Sequence, residues 1–345
     1  MSRCIVILTQ GQTEPLAAKT ATCVIRYRTD EVVAILDTTQ AGKTSHELLG
    51  VGGNIPVVAS LDEAPGADTL LIGIAPAGGK IPADWRQLMI DAIGRGLSIV
   101  SGLHDFLSED AELADAARAR GVQIVDVRKN AEHEVAHRKG IRSECLRIQT
   151  VGVDCSVGKM VTAIETQRAL VRQGFDAKFV ATGQTGIMVE GDGCPIDCVV
   201  ADFINGAAER LVLANQDHDI LVIEGQGSLC HPRYSPVTLG LLHGCMPDGL
   251  ILCYEVGRTM VRRMEHLPLP SLNEQRRLFE TMASVMHPCR VIGIGMNSQY
   301  VTPEQAEKER ERMEAEMGLP VCDVIRHGPE TLVSAVLEQK EELGK

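Results

Sequence analysis

No run of apolar residues in this chain approaches the length needed to span a membrane, and the start, Met1-Ser-Arg-Cys-Ile-Val-Ile-Leu8, lacks the charged and apolar regions of a signal peptide. That start reads instead as a first strand, and the expected location is the cytoplasm. Net positive charge is also missing. A formal charge of −12 argues against nucleic acid as a partner, although a small anion responds to the local field rather than to the total. An acidic chain that binds phosphate has to gather its cations at one place. The eleven cysteines are odd in number and scattered through apolar runs such as Ile251-Leu-Cys-Tyr254, which suits buried thiols in a reducing compartment better than a disulfide framework. There is no internal repeat and no low-complexity segment. No Gly-x-Gly-x-x-Gly follows the first strand, so a dinucleotide site is not expected.

What is present is a soluble globular composition, 44% hydrophobic and 23% charged, in 345 residues, enough for two cores. From residue 1 to about 130, apolar strand runs (Cys4–Leu8, Glu31–Leu36, Pro56–Ala59, Thr69–Ile74, Ser98–Ser101, Gln123–Val127) alternate with helical stretches (Ala17–Tyr27, Ala83–Gly94, Asp110–Arg120). Continuous apolar strands alternating with helices predict a parallel sheet covered on both faces. Its cleft-lining loops would be Thr9–Thr13, Ala75–Gly79 and Gly102–His104. Ala41-Gly-Lys-Thr44 ends like a phosphate loop, but Asp37 stands where the upstream glycine belongs, so it reads as an ordinary loop. Residues 131–145 are strongly charged and read as a linker forming a solvated connector helix. They include His133-Glu-Val-Ala-His137, which matches a zinc-protease pattern but lacks its apolar setting and third ligand.

Residues 146–345 begin with the most informative stretch. The apolar run Leu146–Val151 leads into Gly152-Val-Asp-Cys-Ser-Val-Gly-Lys-Met160, and a helical pattern follows. Strand, glycine-bounded loop, Gly-Lys and helix make a phosphate loop, whose N–H groups and helix N-terminus face an anion while Lys159 adds charge. It departs from a nucleotide hydrolase in two ways. Five residues separate Gly152 from Gly158, a spacing that resembles dethiobiotin synthetase. Met160 stands where Ser or Thr would hold Mg²⁺, although Thr162 is close by. A later strand, Asp219–Glu224, ends in an acidic residue beside that loop and runs into Gly225-Gln-Gly-Ser-Leu-Cys-His-Pro-Arg-Tyr234, where Gln226, Ser228, His231, Arg233 and Tyr234 collect. Further strands at Gly249–Tyr254 and Arg290–Gly295, and an edge strand at Leu319–Asp323, complete a second α/β domain. Val199–Leu213 reads as a helix, and Arg258, Arg262 and Arg263 read as a basic helical turn suited to an anion or to solvent. Cys194 and Cys198 lack a second pair, so no metal site is expected there or elsewhere.

The set Gly152–Met160, Gly183-Gln-Thr-Gly186, Glu190-Gly-Asp-Gly193, Val200–Phe203, Glu224-Gly-Gln-Gly-Ser228, His231-Pro, Thr238–Gly244 and Glu255-x-Gly-Arg258 resembles the DgcN family. Gly73–Pro76 and Val100–His104 carry the resemblance into the N-terminal half. Characterised members of that family are D-glutamate N-acetyltransferases using acetyl-CoA. The resemblance implies a Rossmann-like domain (1–130) joined to a phosphate-loop, P-loop NTPase-like α/β domain (146–345). It also implies a cytoplasmic homo-oligomer acting on small molecules, D-glutamate or a related D-amino acid and acetyl-CoA. On this reading Gly152, Asp154, Cys155, Ser156, Val157, Gly158, Lys159, Met160 and Val161 hold coenzyme phosphates. Glu224 or His231, with Asp197 as a further candidate, supplies acid–base catalysis. Gln226, Ser228, Arg233, Tyr234 and Arg258 bind substrate, the arginines through its carboxylates. An ATP-dependent carboxylase or ligase like dethiobiotin synthetase, favoured by the loop spacing and Glu224, and a non-enzymatic nucleotide switch are the competing readings.

Overall fold

A computed structural model describes residues 3–74 and 82–345. Of the expected cleft loops, Ala75–Gly79 and the Ala75-Pro76 end of Gly73–Pro76 lie outside the described residues. The chain divides into two compact units, Met1–Lys129 with Ile187–Gly191, and Asn130–Gly186 with Asp192–Lys345. No helix among the described residues is long and apolar enough to cross a membrane.

The first unit is built on β1 (Ile5–Leu8), β2 (Val32–Leu36), β3 (Val57–Val58), β4 (Thr69–Ile72), β5 (Ser98–Ser101) and β6 (Ile124–Asp126), with α1 (Lys19–Tyr27), α2 (Ser45–Leu49), α3 (Trp85–Gly94) and α4 (Ala111–Arg120). All pairings are parallel, in the order β3-β2-β1-β4-β5-β6. The strand period of two explains why Ile-Val-Ile-Leu has no polar member. Ile5 and Ile7 pack with Val24 and Ile25 of α1, while Val6 and Leu8 pack on the other face with Trp85 and Met89 of α3. Ala41–Thr44 is a loop whose Thr44 caps α2 in a reciprocal capping box with Glu47, and the Lys43 amine is turned to Gln40.

The second unit holds β7 (Leu146–Gly152), β8 (Ala177–Val180), β9 (Ile220–Ile223), β10 (Gly249–Glu255), β13 (Arg290–Asn297) and β14 (Val321–Cys322), plus a two-stranded antiparallel hairpin of β11 (Met260–Val261) and β12 (Met264–Pro268). Its helices are α5 (Lys159–Arg172), α6 (Gln184–Glu190, which begins in this unit and runs into the Ile187–Gly191 piece of the first), α7 (Ile204–Asn215), α8 (Ser235–Cys245), α9 (Leu272–Ser284), α10 (Pro303–Met317) and α11 (Glu330–Glu342). The parallel order is β14-β13-β10-β7-β9-β8. Because β7 lies between β9 and β10, the loops leaving these three strands emerge side by side at their carboxyl ends, at the point where the strand order reverses.

Several local expectations are corrected. The connector around residues 131–145 is not a helix. It is an extended strap tied to α7: Glu209 accepts the backbone N–H of His137 at 2.8 Å and of Arg138 at 2.7 Å. A Cβ on Gly206 would lie 1.9 Å from the Glu134 carbonyl oxygen, so only glycine lets the strap approach. His133 and His137 therefore do not share a helical face, and the zinc pattern has no frame. Arg258, Arg262 and Arg263 lie not on a helix but in the loop and turn of the β11–β12 hairpin. Gln184–Gly186, expected as loop, opens α6, and the expected Val199–Leu213 helix starts at Ile204 after a short 3-10 turn at Ala201–Phe203.

Candidate active site

The phosphate loop forms as its residues demand. Gly158, φ 101°, adopts a left-handed conformation that glycine tolerates and precedes the first turn of α5, while Ser156 is held at φ 54°. Lys159 is buried and folds back over the strand ends: Nζ donates to the Asp154 carbonyl at 2.8 Å. Its stem lies where side chains on two glycines would otherwise be. A Cβ on Gly152 would sit 2.9 Å from Nζ, and one on Gly225 would sit 3.2 Å from Cδ. Burial pulls the Lys159 pKa down, opposed by Cys155, Cys253, Asp154 and Glu224. Met160 and Val161 are half-buried at the start of α5 and Val157 is buried. Thr162 is buried against β13, its Oγ1 3.0 Å from where a Gly295 Cβ would stand. The first hydroxyl after the lysine is thus committed to the helix–sheet interface.

Glu224 follows β9 and is 4% exposed. Its Oε2 accepts the N–H of Thr182 at 2.9 Å and of Gly183 at 3.0 Å. Gly186 makes the room: a Cβ there would lie 2.3 Å from Oε2. A Cβ on Gly183 would likewise lie 2.3 Å from the Gln226 amide nitrogen, which donates to the Thr182 hydroxyl at 3.2 Å. Burial pushes the Glu224 carboxyl up to about 7, against the hydrogen bonds from Thr182, Gly183 and Gln226, and the charge of Asp197 adds to the rise. Asp197 itself is half-buried in the 3-10 turn Ile196–Cys198. The Ser228 hydroxyl is fully buried, donating to the Val153 carbonyl at 3.0 Å and accepting from Cys230 N at 3.2 Å, which ties the acidic loop to the phosphate loop.

Asp154 is the hub of the third side. It is fully buried; Oδ1 accepts Cys155 N at 2.7 Å, and Oδ2 accepts Arg262 N at 2.8 Å and Arg258 Nη1 at 3.2 Å. Arg258 also pairs with Glu255 at 2.7 Å and donates to the Cys155 carbonyl at 2.6 Å, so its fork is filled from within the protein. The buried His231 ring lies with Nε2 3.9 Å from Asp154 Oδ1, while Nδ1 accepts the Arg233 N–H at 3.2 Å. An accepting Nδ1 assigns the proton of the neutral ring to Nε2. Burial lowers the His231 pKa; Asp154 and the backbone of Arg262 and of His231 itself raise it, and Arg233 lowers it further. Arg233 and Tyr234 point outward, Tyr234 stacking a tilted ring on His231 at 4.6 Å.

Asp154, Cys155 and His231 bring ligand atoms within 4.8 Å of one another. They fit a cation poorly. The Nε2 that faces Asp154 carries a proton, whereas a metal-bound histidine donates from its other nitrogen, and Arg258 occupies the carboxylate's second oxygen. The structure thus brings together Asp154, Cys155, Lys159, Glu224, Gln226, Ser228, His231 and Arg258 in the loops after β7, β9 and β10, and leaves Arg233 and Tyr234 at the surface. Thr150 was missed in the sequence, and Arg262 was noted there only for its charge. Thr150 Oγ1 accepts Gly225 N at 3.1 Å, and Arg262 lends its backbone N–H to Asp154. Both are tertiary contacts without a local signal.

Residues 131–333 match the family model described as a domain of unknown function (DUF1611_C), P-loop domain, and residues 38–130 match its Rossmann-like counterpart (DUF1611_N). A D-glutamate N-acetyltransferase from Tritonibacter scottomollicae is 40% identical over 326 residues, 93% of this chain and 94% of its own. Another of that name from Pseudoalteromonas sp is 40% identical over 270 residues, 78% of this chain and 81% of its own. The crystal structure of a DUF1611 family protein from Anabaena variabilis is similar at a TM-score of 0.92 and 38% identity, covering 97% of this chain and 99% of that one.

Proposed function

The chain belongs to the DUF1611 family, and we propose that it is an N-acetyltransferase that moves the acetyl group of acetyl-CoA to the amino group of D-glutamate, giving N-acetyl-D-glutamate. The similarity over nearly the whole chain to relatives of that name supports the reaction. The observation that carries its chemistry is Glu224, a buried carboxyl with a pKa of about 7 beside a phosphate loop.

Acetyl transfer to an amine needs the amine's proton removed and the developing oxyanion stabilised. Glu224 serves as the base: the N–H groups of Thr182 and Gly183 fix one oxygen, and its pKa near neutrality balances being deprotonated against holding a proton. His231 does not compete for that role, because its Nε2 carries the proton of the neutral ring and faces Asp154; it is a positioning group. Lys159 and the loop N–H groups take coenzyme phosphates. Asp154 and Glu255 hold Arg258 as a positioning group, and the exposed Arg233 is left to meet a substrate carboxylate. The ligase reading is disfavoured by Met160 and by Thr162, whose hydroxyl is buried against Gly295.

The test is a panel of D- and L-amino acids with acetyl-CoA, following thiol release, with Mg-ATP hydrolysis as control. Release with D-glutamate is expected. ATP hydrolysis without thiol release, or a melting shift with Mg-ATP and none with CoA, contradicts the proposal.

A further inference from the structure

Beside the phosphate loop lies a turn carrying two arginines that the reaction as described does not use. Arg262 and Arg263 form the turn between β11 and β12, Arg262 half-buried and Arg263 exposed with φ 61°. Arg258, four residues before Arg262, is neutralised by Asp154 and Glu255. Among the described residues, neither the Arg262 nor the Arg263 side chain has a hydrogen bond or an ion pair. The turn is nonetheless pinned in place: Arg262 N donates to Asp154 Oδ2 at 2.8 Å, two residues past Gly152, and the His231 ring meets the Arg262 backbone.

Three arginines therefore stand near one another, on a turn bonded through the Arg262 N–H to Asp154 of the anion-binding loop, in a chain with net charge −12. The crowding is unfavourable without a ligand. Burial lowers the pKa of Arg262, and the charges of Arg258 and Arg263 push the same way, with Glu255 and Tyr300 opposing. Arginine is well suited to holding a phosphate by paired N–H groups. Lys159 and the loop N–H groups account for one phosphate site; the hairpin turn makes a second. A ligand with two separated phosphate groups would engage both. We propose that Arg262 and Arg263 bind the ribose phosphate of the acetyl donor while the Lys159 loop holds its pyrophosphate, an inference that rests on the acetyl-CoA reading above.

The experiment compares acetyl-CoA with 3′-dephospho-acetyl-CoA as donors for D-glutamate, in the wild type, Arg262→Ala, Arg263→Ala and Arg262→Lys. All three variants keep the Arg262 backbone N–H that holds the turn. The wild type is expected to show a KM about tenfold or more higher for the dephospho donor, the effect of a lost charge-assisted pair. Each alanine variant is expected to raise KM for acetyl-CoA by about five- to tenfold with kcat little changed, and to leave KM for the dephospho donor nearly as it was, while lysine restores part of the loss. Equal use of both donors by the wild type, or variants that weaken both donors in the same proportion, overturns the hairpin site while leaving the acetyltransferase reading standing. No transfer from either donor overturns that reading and the hairpin site with it.

Discussion

Asp37 and Glu224 occupy matching places in two parallel sheets: each follows a buried strand, near the loop that leaves a central strand of its own sheet. Both are nearly inaccessible, at 0% and 4% exposure. Their partners differ. Asp37 accepts the Thr13 hydroxyl on one oxygen and, on the other, the Thr39 N–H at 2.9 Å and hydroxyl at 2.7 Å. Burial raises its pKa, but these bonds and one from the Gly11 backbone outweigh burial and leave it below the ordinary value. Glu224 has two backbone N–H groups on one oxygen, and there burial wins. Both factors differ between the two groups, Glu224 being the more deeply buried and Asp37 having the more hydrogen-bond donors, and their balance sets the direction of each shift. In open α/β folds of this order, an acid after the second strand commonly meets a ribose. Here Asp37 is consumed in tying down the loop after β1, while Glu224, raised to about 7, is the group proposed for proton transfer.

This contrast is breakable by mutation. The largest effect is expected at Glu224: Glu224→Gln should lower turnover by about 10²–10⁴-fold with little change in coenzyme binding, read by steady-state kinetics and calorimetry. Near-normal turnover would move the base elsewhere, with Asp197 next in line. Lys159→Ala should raise KM for acetyl-CoA by roughly 10- to 100-fold, about 1.5–3 kcal/mol for a charge-assisted contact, and an unchanged KM would mean that the amine serves only the Asp154 carbonyl. Asp37→Ala should cost about 1–3 kcal/mol of stability by orphaning the Thr13 and Thr39 donors, with turnover per folded molecule unchanged; a denaturant titration checks it. The smallest effect is expected in the strap. Changing His133 and His137 together to Ala should leave activity intact and the protein without stoichiometric zinc by metal analysis.

The strands of both sheets were readable because helices cover both faces, which leaves unbroken apolar runs such as Ile220–Ile223. The phosphate loop was readable because the chemistry of its backbone requires glycine at Gly158. The strap was not. Its charges look like those of a solvated helix, yet its conformation is set by Glu209 and by the bare backbone of Gly206, both distant in sequence. Arg258 and Arg262 are spaced like one turn of helix, but Arg262 N is claimed by Asp154 across 108 positions. The His231 tautomer, on which the proposal of Glu224 as base rests, was equally closed to sequence, because it depends on which ring nitrogen accepts the Arg233 N–H.

The central claim is that Glu224 sits in the fold at a pKa of about 7, raised by burial from an ordinary 4.5. A carboxyl raised in this way binds its proton more tightly folded than unfolded, so it erodes stability as pH rises from 4.5 through 7; the cost levels off above that at about 3 kcal/mol. Glutamine at this position carries no such cost. The direct measurement is the melting temperature of wild type and Glu224→Gln across about pH 5 to 8. The account predicts that the variant gains on the wild type from about pH 5 to about 7, that the gain levels off above that, and that the variant is the more stable protein at the upper end. A difference that stays constant with pH, or a wild type that gains on the variant as pH rises, contradicts it.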